Sequence, residues 1–483
     1  MRRFLGSALV MALVLAATPA GAAVKNVIIM ISDGWGQCQL DATAYWHGER
    51  QPYEAGGPWH RLAMSTYMIN EGWEHPPYGG DGFAGIHGYD PEKAWSDWNY
   101  QQNHVTDSAA AATAMSTGHK TYQGAIGYGV GDGTDGGRER LRHVSETAES
   151  LGLATGVVTS VMLSHGTPAG FCAHAIQREQ FVPIAREMVH ECGLEVIMGA
   201  GHPEFDRNGR PEEPDTARAG AWVFVGGRET WRDLKAGTAG GGAPWTLVDD
   251  LAGFETLAAG GEVPARVFGV APVRHTLQWE RDGLPSYNDP EPPYATPLIE
   301  TVPSLALMTR GALNVLERDE DGFFLMVEGG AIDWAGHGRT LGRLIEEQDD
   351  FNAAFDVVVD WVEAESGWDE TLVVVTGDHE CGFLWGPGVD PGDPETWFAP
   401  IVDNGPGVMP GFRFYSAPAG PDHDAGHSNE VIPFFCRGHG SERLLAAADE
   451  TDPVMGSYLD NTELARVVFD LYDELARERR EVD

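Results

Sequence analysis

Six short stretches of this chain are apolar with almost no interruption: residues 24–32 (VKNVIIMIS), 154–160, 195–199, 323–328, 371–376 and 431–436. A strand with one wet face alternates apolar and polar residues, whereas an unbroken run has both faces covered. Between the runs lie longer segments of helical period, such as 341–365 and 461–480. Strand and helix in alternation, with strands buried on both sides, predict a doubly wound α/β fold: a mostly parallel central sheet with helices on both faces. The chain has 483 residues, enough to bury a full core without a disulfide scaffold.

Two excursions break the pattern. Residues 51–103 are rich in Gly, Pro and aromatics, including Trp59, Trp73, Trp95 and Trp98. They form either a lid over a site or a surface excursion with its own small aromatic core. Residues 382–424 are a second Gly/Pro-rich excursion between strands. At the start, Arg2 and Arg3 precede an apolar run from 4 to 17 and a small-residue cleavage site at Ala20-Gly21-Ala22. This has the form of a secretory signal peptide, residues 1–22, ahead of one domain spanning 23–483. The run is shorter than the ~20 residues that cross a bilayer, so no stable membrane anchor is expected. Export to the periplasm or beyond follows, and export permits disulfides. The five cysteines are odd in number and none has CxxC spacing. A thiolate zinc site is therefore not expected, and Cys172–Cys192 is the pair to test for a bridge.

The chemistry-bearing residues gather where strands end, which is where open α/β sheets bind ligands. The first run ends in Ser32-Asp33-Gly34. The run at 323 ends in Glu328, followed by Asp333 and His337. The run at 371 leads into Asp378-His379-Glu380, and His427 precedes the run at 431. A lone Asp after a strand is usually a turn or cap residue. Repetition changes that reading, because Asp33, Asp333, His337, Asp378, His379 and His427 together form a donor set that suits two zinc ions. Four-residue spacing puts Asp333 and His337 on one side of a helical turn. Residues 105–113 (VTDSAAAAT) start a helix near Ser108, since alanine is the best helix former. Ser108 then either caps the helix or presents a hydroxyl where an anion is favoured.

These motifs resemble those of the alkaline phosphatases. Residues 105–113 are similar to that family's nucleophile signature at every position. Ile31-Ser32-Asp33-Gly34, His165-Gly166-Thr167-Pro168-Ala169, Val327-Glu328-Gly329-Gly330, Asp333…His337, Thr376-Gly377-Asp378-His379 and Gly426-His427 follow in the family's order. The resemblance implies that Ser108 is the nucleophile. It implies that Asp333, His337 and His427 hold one zinc, and that Asp33, Asp378 and His379 hold a second. Asp33, Thr167 and Glu328 would hold a magnesium ion, or zinc in its place. Arg178, eleven residues after Thr167, sits where the family grips phosphate. Two departures touch the magnesium site and the phosphate: His165 and Trp334 stand where the best-known bacterial members carry Asp and Lys.

The activity so implied is hydrolysis of phosphate monoesters through a phosphoserine. A phosphodiesterase or sulfatase of the same superfamily, and a non-catalytic zinc-stabilised binding protein, are the competing classes. Sulfatases use a different nucleophile motif, which is absent here. Diesterases usually lack the third metal site that Thr167 and Glu328 would build. The resemblance also allows a homodimer. Composition removes nucleic acid as a specific partner, because no basic stripe exists. The chain carries a net charge of −41, and loss of Arg2 and Arg3 with an acid-free leader makes it −43. An anionic substrate then needs a local cationic focus, such as metal ions and Arg178.

Overall fold

The computed structural model describes residues 23–69, 88–103, 105–130, 137–213, 220–416 and 426–482. The leader 1–22 and Trp73 lie outside them. Strands β1 (Asn26–Ser32), β2 (His60–Ser65), β3 (Ala154–Met162), β4 (Val196–Ala200), β5 (Thr246–Val248) and β6 (Val267–Val270) come first. They are followed by β7 (Phe323–Gly329), β8 (Thr371–Thr376), β9 (Glu380–Cys381), β10 (Leu384–Trp385), β11 (Arg413–Phe414) and β12 (His427–Ser428). Strands β13 (Ile432–Gly438), β14 (Glu450–Asp452) and β15 (Gly456–Asp460) complete the set.

Eleven of these strands form one sheet in the order β14-β15-β2-β13-β8-β1-β7-β3-β4-β6-β5. The block from β8 to β5 is parallel throughout, as the unbroken apolar runs predict. The run at 431–436 departs from that expectation: β13 pairs antiparallel with both β8 and β2. Its residues are as buried as those of the parallel strands, with Phe434 and Phe435 wholly inside. An apolar run reports two covered faces, not strand direction.

The pleat sends alternate side chains to two cores. From β1, Ile28 and Met30 join one cluster with helices Leu305–Leu316 and Leu341–Glu365. Val27, Ile29 and Ile31 join the other, with helices Ser108–Thr117, Phe181–His190 and Asn461–Val482. Helices thus cover both faces of the sheet.

The first excursion is more integrated than its composition indicates. It supplies β2 to the main sheet and sends Trp59 and Trp98 into the first core. Trp98 lies 4.6 Å from the Phe383 ring and 5.7 Å from Phe398, and Trp95 lies 5.1 Å from Phe398. The two excursions therefore share one aromatic core that is continuous with the main one, rather than the first having a small core of its own. This core also braces the site, because the Asn429 N–H, two residues past His427, donates to the Gln101 carbonyl at 2.7 Å.

The Cys172–Cys192 pairing does not form. All five cysteines are free thiols, and the Cys192 thiol donates to the Cys172 backbone carbonyl at 2.6 Å. Nearness along the fold places that sulfur against the other residue's main chain rather than its sulfur. Among the described residues, no helix is long and apolar enough to cross a membrane.

Candidate active site

Parallel pairing puts the ends of four adjacent strands, β8, β1, β7 and β3, at one edge. Ile31 is in register with Thr376 and Glu328, and Glu328 with Thr159. The residues just beyond these positions therefore converge. Gly34 draws them closer. Its φ of +77° suits glycine, and an added Cβ would sit 2.6 Å from the Asp333 Cα. The turn after β1 is thus pressed against the helix that carries Asp333 and His337.

Two clusters of metal-ligand types result. In the first, His337 Nε2 lies 3.3 Å from Asp333 Oδ2, and His427 Nε2 lies 3.3 Å from Asp333 Oδ1 and 3.2 Å from His337 Nε2. His427 Nδ1 stands 2.7 Å from the Thr106 carbonyl, so it carries the proton and donates. That leaves the Nε2 lone pair turned into the cluster, the orientation a ligating histidine takes. Donors about 2.0–2.2 Å from a tetrahedral zinc stand about 3.3–3.6 Å apart. The observed separations fit a zinc ion. In the second cluster, His379 Nε2 lies 3.3 Å from Asp378 Oδ2, 3.6 Å from Asp33 Oδ1 and 3.3 Å from Ser108 Oγ. Asp378 Oδ1 is held by the backbone N–H groups of Gly34 and His379, which aims its other oxygen inward.

The electrostatics ask for cations. Asp33, Asp378 and Glu328 are almost wholly buried. Burial, then Asp378, Asp333 and Glu328, push the Asp33 carboxyl well above its usual range. Burial also raises Asp378 and Glu328. Burial alone would raise Asp333 too, but His337 and His427 hold it well below the usual carboxylate range. Asp33 Oδ1, Asp333 Oδ1, Asp378 Oδ2, Glu328 Oε1 and Thr167 Oγ1 are all buried without a hydrogen-bond partner among the described residues. Buried carboxylates that repel one another, with free oxygens facing inward, match bound cations. Glu328 accepts a short hydrogen bond from Thr159. Its other oxygen, with those of Thr167 and Asp33, gives the all-oxygen donor set that suits magnesium.

Ser108 opens the helix Ser108–Thr117, but it does not cap it. Asp107 is the cap and accepts from the Ala110 N–H at 3.2 Å and the Gly124 N–H at 3.1 Å. The Ser108 hydroxyl is thereby left for chemistry. Asp107 also accepts from Arg178 Nη1 at 2.9 Å, so one carboxylate sets the helix and holds the guanidinium beside its first turn. An added Cβ at Gly166 would meet Arg178 Nη2 at 3.0 Å and the Ala109 nitrogen at 3.3 Å. A side chain there would part Arg178 from the Ser108 helix.

His165 and Trp334 form one wall. Their rings lie 6.0 Å apart, and Trp334 packs against Trp279 at 5.8 Å. Burial, then Arg178, push the His165 imidazole down to about 3, so it stays neutral. Its ring nitrogens are 3.4 and 3.5 Å from Arg178 Nη2. All twelve residues singled out from the sequence thus meet at or beside this strand edge.

Cys381 was missed. It lies within the Asp333, His337 and His427 group as a fourth donor, and burial, then Asp333, push its thiol well above its ordinary range. A search for CxxC spacing could not find it, although its place two residues after His379 could have. Asp107 belongs to the nucleophile motif of the sequence, but its hold on Arg178 is a tertiary fact.

The "Alkaline phosphatase" family model matches residues 91–407. Alkaline phosphatase 3 of Bacillus subtilis is 29% identical over 364 residues, which is 74% of this chain and 62% of that protein. The Escherichia coli K12 alkaline phosphatase is 28% identical over 385 residues, 74% of this chain and 70% of that one. The match spans 62% of the length of the first of these relatives. Among solved structures, the alkaline phosphatase of the Antarctic bacterium TAB5 aligns with a TM-score of 0.60 at 24% identity, covering 94% of this chain and 99% of that one. The Thermus thermophilus enzyme aligns with a TM-score of 0.60 at 18% identity, covering 93% and 92%.

Proposed function

The chain belongs to the alkaline phosphatase family, and from that premise we propose that it hydrolyses phosphate monoesters with Ser108 as its nucleophile. The observation that carries this reading is Asp107. Because Asp107 caps the helix and grips Arg178, the Ser108 hydroxyl and a guanidinium are held together beside two metal-ligand clusters.

Asp333, His337 and His427 would hold one zinc; Asp33, Asp378 and His379 a second; Asp33, Thr167 and Glu328 a magnesium. Bound there, the ions supply Lewis acidity and the positive charge a dianionic ester needs in an acidic protein. Arg178, pinned through Nη1, presents the rest of its fork to two phosphate oxygens. Ser108 Oγ attacks phosphorus in line; the ester P–O bond breaks, and the alcohol leaves with a proton. Water then attacks the phosphoserine from the opposite side, inorganic phosphate departs and the hydroxyl is restored. Two inversions give net retention at phosphorus. The charge that builds on the equatorial oxygens is met by Arg178. His165, neutral and buried, adds no charge of its own.

We read residues 1–22 as a leader removed on export and 23–483 as one catalytic domain. The site would act on monoesters outside the cytoplasm.

The test is metal content together with p-nitrophenyl phosphate turnover, for wild type and Ser108→Ala. The variant should keep its metal and lose at least about a thousandfold in kcat, as removal of a nucleophile does. Undiminished turnover with full metal would remove Ser108 from the mechanism. A diester turned over faster than the monoester would replace monoesterase with diesterase.

A further inference from the structure

A second group of metal-ligand side chains lies outside this site: His143, Glu146 and His174, with donor atoms all within 4.8 Å of one another. His143 occupies the N-cap of helix Val144–Ser150, a place that favours Ser, Thr, Asp or Asn. It makes no side-chain capping bond. Its side chain is wholly buried, and neither ring nitrogen has a hydrogen-bond partner among the described residues. Buried polar groups are nearly always satisfied, so a fully enclosed imidazole with two unmade bonds needs a reason. Glu146 Oε2 accepts from the His143 backbone N–H at 2.9 Å, which holds it 3.3 Å from Nδ1 without the alignment of a hydrogen bond to the ring. That is the edge length two donors about 2.0–2.2 Å from a tetrahedral zinc would have.

His174 is prepared in the same sense. Its Nε2 stands 2.8 Å from the Leu141 carbonyl and so carries the proton. Its Nδ1 faces Glu187 Oε1 at 2.9 Å and Arg140 Nη2 at 2.8 Å. Arg140 Nη2 also donates to Glu187 Oε1, so one cation is shared between the imidazole and the carboxylate. The Arg140 side chain that supplies it is 54% exposed.

We propose that His143, Glu146 and His174 bind a zinc-type divalent ion that displaces the Arg140 guanidinium. Two imidazoles and a carboxylate suit zinc over magnesium or calcium, which prefer oxygen. The ion would tie helix Val144–Ser150 to the segment leading from His174 to Arg178, and so brace the phosphate-gripping arginine from behind. It is a structural site, separate from the residues assigned to catalysis.

The test counts zinc by elemental mass spectrometry in the full-length protein, loaded with Zn2+ and then dialysed. His143→Thr installs a good capping residue and should hold one zinc per chain fewer than the wild type. Equal zinc in both would overturn the proposal. A second variant covers the case in which His143→Thr fails to fold. Arg140→Ala keeps every donor and removes the competing cation, so it should retain more zinc than the wild type against a chelator. Retaining the same amount or less would overturn the proposal equally.

Discussion

At the scale of the residue, Asp107 does the most to make the site. It satisfies two backbone N–H groups, anchors Arg178 and frees Ser108 from capping. Asp107→Ala should therefore have two separable effects. Loss of a cap costs about 1 kcal/mol, read from urea denaturation. Release of Arg178 should raise KM for a monoester roughly tenfold, the worth of about one charge-assisted hydrogen bond, with metal content unchanged. An unchanged KM alongside the stability loss would mean that Arg178 is held by something else. The acidic and histidine candidates were legible in the sequence because they gather where apolar runs end, or, for His427, just before one begins. The work of Asp107 was not, since it joins residues 17 and 71 positions away. Cys381 escaped for a related reason: its partners come from other elements of the fold.

At the scale of the element, long apolar runs announced themselves and short or edge strands did not. The helix Leu341–Glu365 and strand Thr371–Thr376 have the bounds their patterns predict. Strand β2, inside an aromatic-rich stretch, was missed, because its place depends on pairing with β13 and β15. The edge strands β5 and β14, of three residues each, offer too few positions for a period to show. The helix Leu341–Glu365 also holds a buried acid, Glu347, whose carboxyl burial, then Asp350 and Glu346, push up to about 8. The native chain keeps this proton while the unfolded chain releases it from about pH 4.5, so stability is lost as pH rises between about 4.5 and 8. Glu347→Gln removes that loss. Its melting temperature should exceed that of the wild type by a margin that widens from about pH 5 to about pH 8 and is level above. A margin independent of pH would show that Glu347 ionises freely in the fold.

At the scale of the whole molecule, an acidic surface surrounds a site that Arg178 and the proposed metal ions would make cationic. The formal charge of −41 repels a phosphate ester until salt screens it, while the short-range hold proposed for Arg178 and bound metal ions would be screened far less. Adding salt from low ionic strength should therefore lower KM for p-nitrophenyl phosphate; a rise in KM would mean that the surface does not govern approach. The sheet explains why one site serves such a chain: four strand ends meet at one edge, and Gly34 presses the turn after β1 onto the Asp333 helix. The central claim is that phosphorus passes through Ser108. Acid quenching during monoester turnover, followed by peptide mass spectrometry, tests it directly. The peptide that contains Ser108 should carry one phosphoryl group on that serine, and the Ser108→Ala protein should carry none. A quenched wild-type enzyme that turns over substrate with Ser108 unmodified, or phosphorylated elsewhere, would contradict the account.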